Sequence, residues 1–495
     1  METYIMAIDQ GTTSTRAILF DKKTQVIGIA QKELDNFYPQ PGWVEQDAND
    51  IWASVVGVMF EVLAKTGVKA KQIAAIGMTN QRETTVVWDK ATGKPIYNAI
   101  VWQSRQSDRY TQQLKEESKE PWIKQKTGLL LDPYFSASKI RFILDETHSQ
   151  QRAEEGELLF GTIDTWLLYK LTEGKQHMSD VSNASRTLLM NLETLDYDEE
   201  LLTLWNIPRC MLPTIVDTSR IYGYCEGLFD TQIPICSIVG DQQAALFGQT
   251  CFTAGDVKNT YGTGCFLLMN TEDHIIHSKN GLVTSVGWRI NGKVSYVLEG
   301  SVFIAGAAVQ WLRDGLKIIR SANESEERAR LVADNDGVYV VPSFTGLGAP
   351  YWKPHVKGAI YGLTRGTKQE HIIRATLESL AYQTSDVISA MKEDADLQLN
   401  ELKVDGGASM NQFLLQFQSD ILNIPVKPAV IQETTALGAA YLAGLAIGYW
   451  KDQNEICQLC LSGTIYQPKM EEKDRADKLK QWDKAIQATI LFGEE

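Results

Sequence analysis

Apolar runs of strand length alternate along the chain with longer runs of helical periodicity, and this alternation predicts an α/β fold. Near the N-terminus, apolar runs at 5–8 and 17–20 flank a turn rich in glycine and threonine, which predicts a β-hairpin. Apolar residues recur at helical spacing over 48–65 and predict an amphipathic helix. Further apolar runs predict strands at 73–78, 84–88, 100–102 and 235–239.

A second hairpin opens the second half of the chain. Apolar runs at 257–261 and 266–269 flank a Gly-Thr-Gly turn, so the same strand, turn and strand recur about 250 residues after the first hairpin. The repetition suggests a duplicated architecture, although short hairpins of this composition also arise independently. No Pro- or Ser-rich linker separates the halves. We therefore expect two closely packed domains, 1–250 and 251–495, divided near 248–255.

Composition and charge restrict the possible partners. The 495 residues are 44% hydrophobic and 22% charged, which permits full cores and excludes disordered and collagen-like chains. A formal net charge of −14 argues against nucleic acid or an anionic membrane as the main partner. The N-terminus lacks a signal-peptide pattern, no apolar run is long enough for a membrane span, and the seven cysteines form no dense framework. We expect a cytoplasmic protein with reduced thiols.

The turn of the first hairpin carries the strongest chemical signal. Asp9 ends an apolar strand, where a buried carboxylate is costly unless a metal ion or several donors pair with it. Gly11 permits a tight turn, and the following amides and hydroxyl side chains can form a nest for phosphate oxygens. Arg16 adds a fixed positive charge. The alternative is an ordinary polar hairpin turn, but the combination within one turn favours a phosphate site.

Two further polar segments follow apolar strands. Arg82 and Glu83 come after the strand at 73–78, where one side chain can donate to hydroxyl groups and the other can accept from them. The alternative is an ion pair on the surface. Asp241 follows the strand at 235–239, and a carboxylate there is placed to accept a proton from a substrate hydroxyl. Its alternative role is that of a helix N-cap.

The segment 404–411 again combines a strand, a glycine turn and a helix. Paired glycines permit close approach of a ligand to the backbone, and Asn411 can hydrogen-bond a base or a phosphate. A plain strand-to-helix turn is the alternative. Small residues at 434–440 indicate tight helix packing. A P-loop, a strand leading into GxGxxG, a GxSxG elbow and an HExxH helix are all absent from the sequence.

In this order and at these separations, the segments resemble the FGGY carbohydrate kinases, and most closely the members of that family that phosphorylate glycerol. The similarity extends from Tyr4 to about Trp450, and a stretch at 358–378 matches a further family signature. It implies two actin-like (ribonuclease H-like) α/β domains with a central cleft between them. It also implies ATP-dependent phosphorylation of glycerol to sn-glycerol 3-phosphate with Mg²⁺, in a homodimer or homotetramer.

The resemblance assigns roles to individual residues. Asp241 would be the general base, with Arg82 as a second catalytic residue. Glycerol would be bound by a set of polar and aromatic side chains: Arg82, Glu83, Trp102, Tyr134, Asp241, Gln242 and Phe266. The nucleotide would be held by residues of both halves: Thr12, Thr13, Ser14, Arg16, Thr263, Gly306, Gln310, Gly407 and Asn411. Asp9 would act through Mg²⁺.

The chain departs from the family pattern at two places. Phe142 stands where the first family signature usually carries Trp, and we expect this to change packing only. The second departure is the run 221–257, which contains no Lys, Arg or His. Some bacterial members of the family bind fructose 1,6-bisphosphate through an Arg just before the Ile-Pro-Ile segment, where this chain has Gln232. Other members are activated by phosphorylation of a His in the same loop.

Two other functions share part of this pattern. A sugar or polyol kinase of different specificity would keep the nucleotide residues, but a small pocket under Trp102 and Phe266 favours a three-carbon substrate. A nucleotide switch related to actin or Hsp70 would keep the phosphate hairpins and act by changing conformation. Such a switch has no need of Arg82, Glu83 and Asp241 together, so this cluster favours a kinase.

The run without basic residues yields a prediction about regulation. A bisphosphate is normally bound by Arg or Lys side chains or by a helix N-terminus, and the acids Glu226, Asp230 and Asp241 would repel it. We expect that fructose 1,6-bisphosphate does not inhibit at millimolar concentration and that no phosphohistidine forms in this loop. Titration of the effector against initial rate tests this. Saturable inhibition that is abolished by changing Gln232 would contradict it.

Overall fold

The computed structural model describes residues 2–353, 355–460 and 463–493, and these form a mixed α/β structure. The described strands are β1 Tyr4–Gln10, β2 Ser14–Phe20, β3 Val26–Glu33, β4 Glu45–Gln46, β5 Ile73–Asn80, β6 Thr85–Asp89, β7 Ala99–Ile100, β8 Leu158–Thr162, β9 Met178–Asp180, β10 Met190–Asn191, β11 Asp196–Tyr197, β12 Thr214–Val216, β13 Ser219–Cys225, β14 Ile233–Gly240, β15 Val257–Tyr261, β16 Cys265–Glu272, β17 Val283–Ile290, β18 Lys293–Val302, β19 Tyr339–Val341, β20 Ala359–Tyr361, β21 Leu402–Gly406 and β22 Val426–Pro428. The described α-helices are α1 Ala48–Thr66, α2 Asp108–Glu116, α3 Glu120–Thr127, α4 Ser136–Glu146, α5 Gln150–Glu154, α6 Ile163–Leu171, α7 Val181–Ala184, α8 Glu199–Trp205, α9 Asp241–Gly248, α10 Gly306–Gln310, α11 Glu324–Ala329, α12 Gln369–Ala395, α13 Gln412–Leu422, α14 Thr434–Ala446, α15 Gln453–Leu459 and α16 Glu472–Gly493.

A large sheet connects the two halves of the chain. Its strand order is β22-β21-β15-β16-β18-β17-β13-β14-β5-β1-β2-β3. The halves meet between β13 and β17, whose register contains the single pair Ser219 and Ile290. In the first half β1, β5 and β14 run parallel, and in the second half β15, β21 and β22 do so. The predicted α/β class is confirmed, and both predicted hairpins are present as β1–β2 and β15–β16.

Helix α1 shows how the local sequence sets an element. Asp47 caps its start, because the Oδ1 of Asp47 accepts from the backbone N–H of Asn49 at 2.7 Å. Gly67 ends it with a left-handed φ of 70°. The buried side recurs at helical spacing and consists of Ala48, Ile51, Ser54, Val55, Val58, Met59 and Val62. The predicted helix at 48–65 is therefore confirmed with one additional residue.

The predicted strand at 100–102 is longer than the observed one. Strand β7 ends at Ile100, and Trp102 lies in a turn. The indole of Trp102 donates from Nε1 to the Oγ1 of Thr12 at 2.9 Å, and its backbone N–H donates to the Oγ1 of Thr84 at 3.2 Å. These tertiary contacts override the strand preference of an aromatic residue.

Helix α14 packs from the second half of the chain onto the first half. It lies against α9 and against β5, β1 and β14. A Cβ added at Gly438 would lie 1.9 Å from the carbonyl oxygen of Ala244, and one at Gly248 would lie 2.0 Å from that of Thr434. Only glycine permits backbones to approach this closely, so the predicted tight helix packing at 434–440 is confirmed. The division of the chain near residue 250 remains a prediction. Helix α14 lies after this point in the sequence, and it packs against strands that lie before it.

Two global properties concern the cysteines and the helices. All seven cysteines are free, and Cys225, Cys236, Cys251 and Cys265 are buried. Burial raises the pKa of Cys236 to about 12, so its thiol stays protonated at neutral pH. Among the residues that the structure describes, no helix has both the length and the apolar character needed to cross a membrane.

The close approach of α9 and α14 predicts the effect of one added methyl group. Gly438→Ala forces the two backbones apart, because the new Cβ has no space beside Ala244. We expect a loss of about 1–3 kcal/mol, the range typical of overpacking, seen as a lower Tm in thermal unfolding. Gly57→Ala is the matched control, since Gly57 lies on the exposed side of α1 with nothing within 4 Å of an added Cβ. Gly57→Ala should be neutral or slightly stabilising, and equal losses in both variants would contradict the account.

Candidate active site

The site begins at the carboxyl ends of three adjacent parallel strands. In the register of β1, β5 and β14, Gln10 pairs with Asn80, and Asn80 pairs with Gly240. The polar segments that follow these strands therefore emerge side by side at one edge of the sheet. Parallel pairing thus brings together segments that are more than 150 residues apart in the sequence.

Arg82 crosses this edge and reaches the second half of the chain. Its Nη1 and Nη2 donate to Oε2 and Oε1 of Glu299 on β18, at 2.6 and 3.2 Å. Its Nε lies 3.3 Å from Oδ1 of Asp241. A Cβ at Gly240 would lie 2.8 Å from Cδ of Arg82, so this glycine leaves room for the arginine to cross. The Arg82 side chain is 2% exposed, and the alternative of an ion pair on the surface is therefore wrong.

A second buried arginine completes an ion cluster of Arg82, Glu83, Arg186 and Glu299. Arg186 donates from Nε to Oε1 of Glu83 at 2.6 Å and from Nη2 to Oε1 of Glu299 at 3.0 Å. Burial alone would raise the pKa of Glu299, but Arg186 and Arg82 together lower it to about 2. Both acids of the cluster are only 1% exposed, so each charge depends on its partners. We call these four residues the ion cluster.

Arg186 and Glu299 are buried site residues that the sequence pattern did not single out. Glu299 is a lone carboxylate within the apolar strand β18, and Arg186 stands just before the apolar run 188–190. The argument that singled out Asp9, namely that a charge in an apolar run needs a partner, applies to both residues. The sequence provides no means of identifying that partner, because Arg186 and Glu299 are 113 residues apart.

Glu83 adopts a strained backbone conformation. Its φ is 61°, which is unusual for a residue with a side chain. The Oγ of Ser136 and the Oγ1 of Thr85 both donate to its carbonyl oxygen, at 3.1 and 3.0 Å. Burial raises the pKa of Glu83, and Arg186 and Arg82 oppose that rise. Strain of this kind persists where the surroundings fix it, and it is common in ligand sites.

Asp241 is the first residue of α9, and Gly240 occupies the N-cap position. The predicted alternative of a helix N-cap is therefore wrong, although Oδ1 of Asp241 accepts from the backbone N–H of Gln242 at 2.7 Å. The side chain is 29% exposed, whereas the ion cluster beside it is enclosed. Burial raises the pKa of Asp241, and Arg82 and Lys258 oppose the rise. A partly exposed carboxylate with a raised pKa is suited to accept a proton.

Asp9 lies close enough to Asp241 for the two charges to interact. Burial raises the pKa of Asp9 to about 7; Arg16 opposes this rise, and Asp241 and Glu433 add to it. Two carboxylates in one cleft are hard oxygen ligands of the type that Mg²⁺ binds. No group of three or more metal-ligating side chains occurs in the part of the chain that the structure describes. Mg²⁺ is usually held by one or two carboxylates together with waters and substrate phosphates, and Asp9 can supply one such carboxylate.

Three aromatic rings adjoin the polar cluster. Trp102 packs edge-on against Tyr134 with centroids 5.4 Å apart, and against Phe266 of β16 at 6.4 Å. The guanidinium of Arg186 lies 5.6 Å from the centre of the Tyr134 ring, so the aromatic group is held against the ion cluster. Because Phe266 comes from the second half of the chain, both halves contribute aromatic rings to the site.

The first hairpin places its predicted phosphate residues near the same edge. The backbone N–H of Gly11 donates to the carbonyl oxygen of Ser14 at 2.9 Å and closes the turn. The Oγ1 of Thr12 accepts from the indole of Trp102, and Thr13 is exposed to solvent. Arg16 forms an ion pair with Glu433 at 2.9 Å, which links the hairpin to the second half.

The second hairpin forms one wall of a cavity of about 470 Å³. The five nucleotide residues predicted for the second half all line it: Thr263, Gly306, Gln310, Gly407 and Asn411. A Cβ at Gly306 would lie 2.6 Å from the carbonyl oxygen of Gly262, so the hairpin and α10 approach as only glycine allows. A π-helical turn, Trp311–Gly315, follows α10 and brings Arg313 to the cavity. Thr12, Thr13, Ser14 and Arg16 are not among the residues that line this cavity.

Asn411 has a structural task as well as a place in the cavity. Its Oδ1 accepts from the backbone N–H of Leu414 at 3.0 Å and caps α13, and its Nδ2 lies 3.4 Å from Oγ of Ser325. The backbone N–H of Gln412, the first residue of α13, donates to Oε2 of Glu326 at 2.9 Å, so a carboxylate already lies at the N-terminus of this helix. A plain strand-to-helix turn makes the same cap, so the nucleotide role of Asn411 stays a prediction.

The loop between β13 and β14 lies within the run 221–257, which has no basic residues. Its Glu226 pairs with Nζ of Lys175 at 2.9 Å, so the neighbouring segment after α6 supplies a cation that the run itself lacks. That cation is already neutralised by Glu226.

Two family models match this chain, one in each half. The N-terminal domain of the FGGY family of carbohydrate kinases matches residues 4–248, and the C-terminal domain of that family matches residues 257–447. Curated glycerol kinases of Listeria welshimeri and Bacillus licheniformis are each 56% identical to the chain, over 492 and 495 residues, and the alignments cover 99% of this chain and 99% and 100% of those proteins.

Solved structures agree with the sequence relatives. Plasmodium falciparum glycerol kinase with ADP superposes with a TM-score of 0.93 at 35% identity, covering 99% of this chain and 98% of that one. Xylulose kinase from Lactobacillus acidophilus gives a TM-score of 0.89 at 22% identity, covering 98% and 97% of the two chains, and it shows the fold alone. The predicted two-domain actin-like α/β fold is therefore confirmed.

The ion cluster predicts the cost of removing one of its charges. Glu299→Gln leaves Arg82 and Arg186 with an uncompensated buried charge, and we expect a loss of about 3–5 kcal/mol in unfolding free energy. Glu433→Gln is the control, because its ion pair with Arg16 is half-buried; its loss should stay below about 1 kcal/mol. Denaturant unfolding of both variants measures the difference. Equal losses of unfolding free energy in the two variants would show that the ion cluster contributes no more to stability than the ion pair of Arg16 and Glu433.

Proposed function

The chain belongs to the FGGY family of carbohydrate kinases, and we propose that it transfers the terminal phosphoryl group of ATP to glycerol and forms sn-glycerol 3-phosphate. The observation that carries the proposal is that Asp241, the ion cluster and the three aromatic rings lie next to one another at one edge of the sheet. The full-length relatives at 56% identity are named glycerol kinases, which supports glycerol as the substrate.

Recognition of a small triol follows from the chemistry of this edge. Arg82 can donate to a hydroxyl oxygen, while the carboxylates of Glu83 and Asp241 can accept from hydroxyl groups. Gln242 and Tyr134 add two more polar side chains that can form hydrogen bonds with hydroxyl groups. Trp102 and Phe266 would cover the carbon chain, since apolar faces suit its C–H groups.

Asp241 would act as the general base. In the proposed step, the oxygen of a terminal hydroxyl group forms a bond to the γ-phosphorus of ATP, and the bond from that phosphorus to the bridging oxygen breaks. The electron pair leaves with ADP, and the hydroxyl proton passes to the Asp241 carboxylate. Phosphoryl transfer of this type depends mainly on positioning and charge, so Arg82 beside Asp241 would contribute by fixing the base.

The nucleotide would lie between the two hairpins. The cavity residues Thr263, Gly306, Gln310, Gly407 and Asn411 would hold the nucleotide, with Thr263 of the second hairpin on its phosphate side and the turn at Gly407 and Asn411 on its adenosine side. Thr12, Thr13, Ser14 and Arg16 would hold phosphate oxygens from the other side, where Gly11 closes the turn. Asp9 is the residue that fits Mg²⁺, and a bound Mg²⁺ neutralises charge on the phosphate oxygens.

Compartment and assembly are parts of the same proposal. Seven free thiols, four of them buried, suit a reducing compartment, and we propose the cytoplasm. A homodimer or homotetramer is proposed from the family resemblance alone. The net charge of −14 supports small-molecule substrates rather than nucleic acid.

The direct test of function is product formation. Purified protein with Mg²⁺ and ATP should release ADP only when glycerol is added, with one glycerol 3-phosphate formed per ADP. A panel containing xylulose, gluconate and erythritol distinguishes a kinase of different specificity, which would prefer one of those substrates. Release of ADP without any phosphorylated acceptor would indicate a nucleotide switch instead.

Replacement of the proposed base predicts a selective loss of turnover. Asp241→Asn keeps the shape of the side chain and removes the proton acceptor, so kcat should fall by about 10²–10⁴-fold. ADP affinity, measured by calorimetry, should stay unchanged, because the nucleotide cavity lies apart from Asp241.

The control for this experiment is Asp230→Asn, which removes an exposed acid that precedes β14. It should leave kcat unchanged. An Asp241→Asn variant that keeps more than half of the parent turnover would remove Asp241 from the role of base.

A further inference from the structure

Lys258 of β15 is a buried cation beneath the proposed base. Its side chain is fully enclosed, and its Nζ donates to Oε1 of Gln242 at 2.6 Å and to Oγ1 of Thr260 at 2.8 Å. Lys258 belongs to the segment that the C-terminal family domain matches, and Gln242 to the N-terminal one. The contact therefore joins the two halves directly at the residue after Asp241.

The register of the sheet explains why Lys258 points at α9. Strands β15 and β21 are parallel, and Lys258 pairs with Lys403 while Thr260 pairs with Asp405. Residues paired in register lie on the same face of a sheet. On this face Nζ of Lys403 donates to the carbonyl oxygen of Thr250 at 3.1 Å, just beyond the end of α9. Lys258 therefore contacts the first turn of α9, which carries Asp241, whereas Lys403 contacts the loop beyond the last residue of that helix.

The Gln242 carboxamide has only one orientation beside this lysine. An ammonium group donates hydrogen bonds and cannot accept them, so the amide must present its oxygen to Nζ. The NH₂ group of Gln242 is consequently directed away from Lys258. Without the ammonium, the two ends of the amide are chemically free to exchange places.

Buried charges from several elements surround the ammonium group. Asp405 lies on the same face, Asp241 and Arg82 lie at the strand edge, and Glu299 lies on β18. Burial lowers the pKa of Lys258 to about 8, and Asp405 and Asp241 oppose that change, so Lys258 stays mainly protonated at pH 7. In return, Lys258 is one of the two cations that oppose the rise in the pKa of Asp241.

We propose that Lys258 is a positioning residue for phosphoryl transfer, which fixes the Gln242 carboxamide so that its NH₂ group faces the substrate. Lys258 does not touch the substrate in this account, because it is enclosed beneath Gln242. The proposal rests on the proposed function and adds a residue that acts from the opposite half of the chain. We expect removal of the Lys258 ammonium group to lower kcat/KM for glycerol and to leave nucleotide binding unchanged.

The test compares Lys258→Met with Lys403→Met. Methionine keeps most of the side-chain volume and removes the ammonium group in both variants. We expect Lys258→Met to lower kcat/KM for glycerol by about 10- to 100-fold, as for a lost buried hydrogen bond, with the KM for ATP nearly unchanged. Lys403→Met should lower the Tm at most and leave kcat/KM for glycerol within about two-fold of the parent value. Parallel losses for glycerol and ATP in Lys258→Met would overturn the proposal.

A double-mutant cycle separates positioning from general damage. If Lys258 acts through Gln242, the Lys258→Met/Gln242→Ala protein should be about as impaired for glycerol as Gln242→Ala alone. Losses that multiply would overturn the proposal, because the two residues would then act independently. Lys258→Arg retains the charge, and partial recovery of kcat/KM relative to Lys258→Met is expected; a variant no better than Lys258→Met would show that charge is not what Lys258 supplies.

A structural measurement distinguishes this proposal from the proposed function. The neutron crystal structure of Lys258→Met, which distinguishes the amide oxygen from the NH₂ group, should show the Gln242 carboxamide rotated or in two conformers, whatever acceptor the enzyme uses. An unchanged Gln242 would overturn the positioning role even if glycerol is the substrate. A displaced Gln242 in an enzyme that does not phosphorylate glycerol would instead refute the proposed function and leave the positioning role intact.

Discussion

The site depends on the enclosure of four charges between the two halves of the chain. Arg82, Glu83, Arg186 and Glu299 are each almost inaccessible to water, and any one of them without its partners would carry a desolvation penalty of several kcal/mol. Satisfying all four requires the edge of β5, the end of α7 and the middle of β18 to meet in one geometry. That geometry then fixes Asp241, because the Nε of Arg82 is left to face it.

Glycine-mediated packing holds the same geometry from behind. Helix α14 crosses from the second half to lie against α9, at distances that any side chain on Gly438 or Gly248 would prevent. Lys258 holds the first turn of α9 from the side of β15. The helix that begins with Asp241 is therefore fixed on two sides by residues of the second half. A kinase gains from this arrangement, since misplacement of a base by about 1 Å can reduce the rate by orders of magnitude.

Local signals in the sequence specified the elements, and pairing across the chain specified the site. The hairpins, helix α1 and the small-residue packing of 434–440 follow from periodicity and glycine placement, and all were confirmed. Trp102 belongs to the apolar run 100–102, which predicts a strand, but its contacts with Thr12 and Thr84 hold it in a turn. Arg186, Glu299 and Lys258 escaped notice because their roles depend on partners that only the folded sheet brings near. The assignment of individual site residues came from family resemblance, and the geometry supports it without testing it.

The central claim is that one sheet edge binds the acceptor hydroxyl group at Asp241 while the second hairpin presents the nucleotide. The most direct measurement is a crystal structure with glycerol and a non-hydrolysable ATP analogue bound together. The account predicts an Asp241 carboxylate oxygen about 2.6–3.2 Å from a terminal hydroxyl oxygen. That hydroxyl oxygen should lie about 3–3.5 Å from the γ-phosphorus. Glycerol bound away from Asp241, or a γ-phosphate directed away from the ion cluster, would contradict the account.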